Sequence, residues 1–341
     1  MGKKIIRDKA YGPRIFRNLY NYVHRDDEIY YYPLYNVHAP MSPRKLKIYN
    51  QEGYPMDTFF IRDFHRATNP NWNNSKYFIW DRYNYGLDTH FYTHQAMLET
   101  MGQPVRKYGM MLESRAIAPR DYEIFHMNKG LEKEFEAVFT FDDRLLNEVE
   151  NAKFYPVCAA VWYGVDDSPV QLDPMAYEQK TKNISIVSSD KASCDLHKFR
   201  IELARQCKRD GLADTFGTFD GGGYSDISES LKEYRYSIVV ENTLSDYFFC
   251  EKLTNCFAAQ TIPVYLGARK IHEFFNADGI IVIDTQDLNE VSRILRQCTK
   301  QEYRNRLPAV LDNYERVREY LNMDDYLYTH YLNSKREENP S

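Results

Sequence analysis

Short apolar runs alternate with longer amphipathic stretches along most of the chain, and this spacing predicts alternating strands and helices. Residues 77–80 read as a buried strand, residues 89–101 as a helix closed by Gly102, and residues 108–112 as a second strand. A charged helical stretch around residues 131–135 precedes a third strand at 137–141. The second half repeats the rhythm. Strands are expected at 184–187, 236–240, 262–266 and 279–283, and helices at 195–209, 247–260 and 288–297. Gly211 stops the first of these helices, and Pro308 is expected to break the charged helical end. Such alternation predicts an α/β fold with parallel, doubly wound sheets. Gly164, Asp166, Asp167, Ser168 and Pro169 read as a linker. Three parts follow: one Rossmann-like domain at 1–163, a second at 164–320, and a tail at 321–341. Two such domains facing a central cleft would bind a ligand at the carboxyl ends of their strands. The first 75 residues are irregular, with a turn at Gly12-Pro13, an extended candidate at 45–49 and an aromatic cluster at 30–35.

Composition narrows the classes of function. The chain has 341 residues, with 44 basic and 49 acidic side chains and a net charge of −5, so nothing favours nucleic acid or an anionic membrane as partner. No apolar run approaches the ~18 residues that a membrane span needs. The six cysteines include no C-x-x-C pair and no paired histidine, so a reduced, soluble, cytoplasmic protein without structural zinc is expected. The 29 tyrosines suit sugar or base stacking as well as core filling.

Three places carry candidate chemistry. On the helix at 195–209, Leu196, Phe199, Leu203 and Cys207 form an apolar stripe, and Arg200 falls inside it. A guanidinium there needs either a structural carboxylate or a bound anion, and its fork of donors suits phosphate. The strand at 236–240 runs through Glu241-Asn242 and a short polar loop to a helix expected to open at Asp246 as N-cap. Tyr247 and Glu251 share one face of that helix. Lys252 in an early turn opposes the helix dipole, which suggests a nearby anion. Glu113 ends an apolar strand, as a general base or as a surface or ion-paired acid. Gly221-Gly222-Gly223 forms either a plain connector or a loop that approaches a phosphate. There is no G-x-x-x-x-G-K-[ST] loop, no H-E-x-x-H and no D-x-D triplet, so no divalent-metal site is expected.

The run ENTLSDYFFCEKLTNCFAAQTIPVYLGA, residues 241–268, resembles the α1,3/α1,4-fucosyltransferases of glycosyltransferase family ten. The family carries a strand ending in Glu-Asn, an Asp-Tyr loop, a Glu-Lys-Leu or Glu-Lys-Ile helix start and a Pro-Val strand. Arg200, after the strand and Ser-Ser at 186–189, looks like the family's phosphate-binding arginine. Leu112-Glu113-Ser114 and the segment 138–142 resemble its acceptor-half pair. The resemblance covers roughly residues 107–285. It departs at Asp246-Tyr247, one position early, at Cys250, where Thr is common, and at Arg115, where Pro is common.

The resemblance implies a GT-B architecture and transfer of fucose from GDP-fucose to a glycan hydroxyl, in α1,3 or α1,4 linkage, with inversion and without a required cofactor. Arg200, Asn242 and Lys252 would hold the diphosphate, Tyr247 would sit beside the phosphates, Glu251 would bind the ribose, and Glu113 would be the base. Another nucleotide sugar on the same scaffold, or a noncatalytic nucleotide-sugar or glycan binder, stands as the alternative.

Overall fold

The computed structural model describes residues 57–62, 75–81, 86–99, 101–164 and 172–333. Two units divide the chain. One contains the described residues up to Val157 together with those from Asn322, and the other is Cys158–Leu321.

The first unit carries the sheet β2-β1-β3-β4-β5-β6, with β1 at Asp57–Arg62, β2 at Phe78–Asp81, β3 at Thr89–Thr93, β4 at Arg106–Met110, β5 at Ala137–Thr140 and β6 at Ala152–Phe154. Every pairing is parallel. Helices α1 (Pro119–Met127) and α2 (Asp143–Glu148) lie in the crossovers, and α9 (Met323–Leu327) joins this unit from the end of the chain.

The second unit carries β11-β10-β9-β7-β8, also all parallel, with β7 at Lys182–Val187, β8 at Asp214–Phe216, β9 at Tyr234–Val240, β10 at Ile262–Leu266 and β11 at Ile281–Val282. Ile238 lies in register between Ile186 and Val264. The helices are α3 (Asp195–Asp210), α4 (Ile227–Leu231), α5 (Glu251–Ala258), α6 (Leu288–Gln297), α7 (Lys300–Asn305) and α8 (Leu307–Val317). Strands covered on both faces need side chains that are apolar on both faces. Tyr234–Val240 is buried at every position, and one cluster joins Ile184, Ile186, Ile238, Val264 and Leu203. The strand order reverses between β7 and β9, and in such sheets the carboxyl ends beside the reversal form the ligand crevice.

Several expected elements take a different form. Residues 89–101 are not one helix. Thr89–Thr93 is a fully buried strand between β1 and β4, followed by a 3-10 turn at His94–Leu98. The run Thr-His-Phe-Tyr-Thr is β-branched and aromatic, and its period was masked by the apolar Ala96, Met97 and Leu98 behind it. The helix expected from 247 starts at Glu251, with Cys250 and not Asp246 at the N-cap. The helical end is broken at Pro308 as expected, into α7 and α8, and Pro308 stands in the first turn of α8, which has no use for its missing N–H. The stretch around residues 131–135 is the 3-10 turn Leu131–Glu134, and Gly279 ends another turn before the short β11. The turn at Gly12-Pro13, the cluster at 30–35, the extended candidate at 45–49 and most of the linker lie outside the described residues.

Candidate functional site

The reversal brings the ends of β7 and β9 side by side. Ser188 and Ser189 follow β7, and Glu241 and Asn242 follow β9. Their loops are tied together, because the Cys194 thiol at the N-cap of α3 donates to the Asn242 carbonyl at 3.3 Å. Gly217, after β8, has φ +94°, and a Cβ there would lie 2.3 Å from the Ser188 carbonyl oxygen, so only glycine lets the loop after β8 close onto the loop after β7.

Arg200 sits where its place in the apolar stripe of α3 puts it, with 6% of its surface exposed. Among the described residues its side chain makes one long hydrogen bond, from a terminal nitrogen to Ser189 Oγ at 3.4 Å, and its Nε has no partner. Burial pushes its pKa down, and the nearby Cys250 and Glu241 only partly oppose that. A guanidinium so placed is an anion receptor whose anion must come from outside the protein.

Glu241 is fully buried and braces the start of α5. Its carboxylate accepts from the Cys250 N–H at 3.0 Å and from the Cys250 thiol at 2.8 Å. Lys252 Nζ lies 2.9 Å from the same sulfur and 3.2 Å from Glu251 Oε1, with about a third of its side chain exposed. Burial raises the Glu241 pKa. For Lys252 burial works against the charge, but Cys250, Glu251 and Glu241 outweigh it and hold the pKa above its usual value. The chain from Glu241 through Cys250 to Lys252 therefore presents a fixed cation at the helix start.

The loop between β9 and α5 is organised differently from the expectation. Asp246 caps no helix. Its carboxylate meets Arg269 at 2.8 Å and Lys270 at 3.4 Å. Tyr247 lies outside α5, its hydroxyl accepts from Lys270 Nζ at 2.9 Å, and the same ammonium lies 4.7 Å from the ring centroid. Arg200, Glu241, Asn242, Glu251 and Lys252 thus belong to one neighbourhood at the β7/β9 reversal, and Tyr247 is tied to the loop after β10 through Lys270.

Glu113 belongs to the first unit and is half-buried just beyond β4. Its segment is braced on three sides. Leu112 N–H donates to His94 Nε2 at 3.1 Å, and His94 Nδ1 lies 3.0 Å from Asp121 Oδ2. Tyr122 Oη donates to the Glu113 carbonyl at 2.5 Å. Arg115, a candidate ion partner of Glu113, makes a two-point contact with Asp142 at 2.7 and 2.8 Å and covers the Tyr122 ring. Sequence reasoning missed His94 because it placed the residue on a helix. It also missed the brace by Glu241, which shows in sequence only as an acid ending a β-branched strand.

Among the described residues no group of three His, Cys, Asp or Glu side chains is disposed to hold a metal ion, and no helix is long and apolar enough to cross a membrane.

Residues 177–307 match the model of the glycosyltransferase family 10 (fucosyltransferase) C-terminal domain, which bears out the resemblance of the 241–268 run. A fucosyltransferase-like protein of Arabidopsis thaliana is 25% identical over 175 residues, 45% of this chain and 34% of the relative, so the chain spans about a third of that relative's length. A crystal structure of an alpha1,3-fucosyltransferase with GDP superposes with a TM-score of 0.52 at 14% identity, covering 84% of this chain and 92% of that one. This likeness shows the fold, an α/β architecture of GT-B type with two Rossmann-like parallel sheets.

Proposed function

We propose that this chain, whose residues 177–307 are a family 10 glycosyltransferase domain, transfers fucose from GDP-fucose to a hydroxyl of a glycan acceptor with inversion at the anomeric carbon. The observation that carries the reading is Arg200, a buried guanidinium with an unpartnered Nε at the β7/β9 reversal. With Lys252 it supplies two positive charges to a diphosphate, and Asn242 adds a polar contact at the end of β9. Glu251, at the first position of α5, is assigned to the ribose hydroxyls, and Tyr247 to the flank of the phosphates. The transition state is oxocarbenium-like and the leaving group is an anion. Preorganised cations stabilise the departing GDP as its charge develops, without a required metal. Glu113 takes the proton of the attacking hydroxyl, and a single displacement inverts the centre. The six free cysteines support the cytoplasmic location.

The test is turnover of GDP-fucose with a panel of glycan acceptors, alongside other GDP- and UDP-sugars, with and without excess EDTA. Product formation from GDP-fucose alone, with α-linked product and activity in EDTA near the untreated level, is expected. Donor binding without turnover on any acceptor overturns the catalytic reading, and preference for another nucleotide sugar overturns the choice of donor. Complete loss in EDTA, restored by manganese or magnesium, overturns metal independence.

A further inference from the structure

We propose that His197 is an additional anion-binding residue of the diphosphate site, and that it takes up a proton when the nucleotide sugar binds. The inference rests on the donor-site reading above. His197 lies on α3 three residues before Arg200, on the same buried side of the helix. Residues so spaced bring their Cβ atoms within about 5–6 Å. Its exposure is 7%, and neither ring nitrogen has a hydrogen-bond partner among the described residues; Nδ1 is buried outright. Buried polar atoms are rarely left unpaired, and two neighbouring ones, His197 Nδ1 and Arg200 Nε, point to one missing acceptor. A pyrophosphate carries enough acceptor oxygens for both.

The charges that bear on the ring are all positive: Arg200 on its own helix, Lys252 on α5, and Lys191 in the loop after β7. Burial and then these cations push the imidazole pKa down, so the ring is neutral in the free protein near pH 7. A dianion in their midst reverses the field, and the protonated ring becomes a second donor beside the guanidinium. Binding and protonation are then linked, and donor affinity rises as pH falls.

GDP-fucose is the right probe. Both its phosphates are esterified, so it lacks the terminal phosphate ionisation near pH 6 that would confuse a titration with GDP. Calorimetric titrations of the wild-type, His197→Asn and His197→Gln proteins between pH 5.5 and 8 are expected to show wild-type affinity rising on the order of tenfold toward the acid end. Both variants are expected to be nearly flat. Repeating the titrations in buffers of different ionisation enthalpy should show proton uptake in the wild type that both variants lose. A pH slope and proton uptake unchanged in two folded variants overturns the role of His197. Absence of GDP-fucose binding by the wild type at every pH overturns the donor-site reading itself, and the two failures are distinguishable.

Discussion

A guanidinium buried without a counterion is costly to keep, and Arg200 is such a group. Arg200→Leu completes the apolar stripe of Leu196, Phe199 and Leu203. It is expected to stabilise the free protein by about 1–3 kcal/mol in denaturant unfolding. The same variant should lose about 1.5–3 kcal/mol of GDP affinity, as should Lys252→Ala. A destabilised Arg200→Leu protein that binds GDP normally would mean that the arginine serves the fold. Glu113 differs, because its backbone is held by Tyr122 and its segment by His94. Glu113→Gln should therefore preserve the local structure, leave GDP-fucose binding nearly intact and lower kcat by about 10²–10⁴-fold. Near-normal kcat in the folded variant removes it from the mechanism. Arg200 was legible in sequence because one charge in an otherwise apolar helical stripe breaks a strong period. The unpartnered state of its Nε was not, since that depends on what β7 and β9 bring beside it.

At the scale of elements, the start of α5 shows how a strand and a helix are joined through one acid. Glu241 takes the place of the missing cap by accepting from the Cys250 N–H and thiol, and Gly267, just beyond β10, lets this happen. A Cβ at Gly267 would lie 2.3 Å from Tyr265 Oη and 2.6 Å from Glu241 Cγ. Gly267→Ala is thus expected to cost about 1–3 kcal/mol by overpacking and to weaken GDP binding by displacing Glu241, and with it Cys250 and Lys252. Wild-type melting temperature and GDP affinity in this variant would show that the brace tolerates movement. The central strands β7, β9 and β10 were readable because burial demands apolar runs, whereas the short, partly exposed β8 carries no such run and was missed. The start of α5 was misplaced because Asp246 satisfies the local preference of an N-cap while its carboxylate is engaged by Arg269 and Lys270, 23 or 24 residues away in sequence. The strand at Thr89–Thr93 was misread because its apolar neighbours imitate a helical face, and only its place between β1 and β4 settles it.

Over the whole molecule, two buried groups titrate in opposite directions, one in each unit. In the first unit Asp324 is 4% exposed and accepts from Trp80 Nε1 at 3.2 Å, and burial raises its pKa from 3.8 to about 7. The folded state binds the extra proton between those values, so stability falls as pH rises from about 4 to 7. In the second unit Lys180 is 6% exposed and donates to the carbonyls of Leu231 and Lys232 and to Thr261 Oγ1, and burial lowers its pKa from 10.5 to about 7. Here the unfolded chain binds the extra proton, so stability rises from pH 7 toward 10. Several exposed carboxylates, such as Asp220 and Glu233, have pKa values lowered by lysine partners and slope the other way on the acid side, but exposed pairs count for little. On the alkaline side the buried thiols of Cys207, Cys250, Cys256 and Cys298, whose pKa values burial raises, slope against Lys180, so each contribution is read as the difference in urea unfolding between wild type and variant. Buried Glu241 in the second unit, whose pKa is also raised, adds to the acid slope, so each group's share is isolated by its own substitution. Asp324→Asn keeps an acceptor for Trp80 and should reduce the acid slope, gaining on the order of a few kcal/mol at pH 8 and little at pH 4. Lys180→Met should remove the gain in stability that Lys180 contributes between pH 7 and 10 and leave the acid slope unchanged. In variants that keep one of the three tryptophans, indole fluorescence from Trp80 follows the first unit and that from Trp162 the second. An Asp324→Asn protein with the wild-type acid slope would show that its carboxylate is already ionised in the folded protein at low pH.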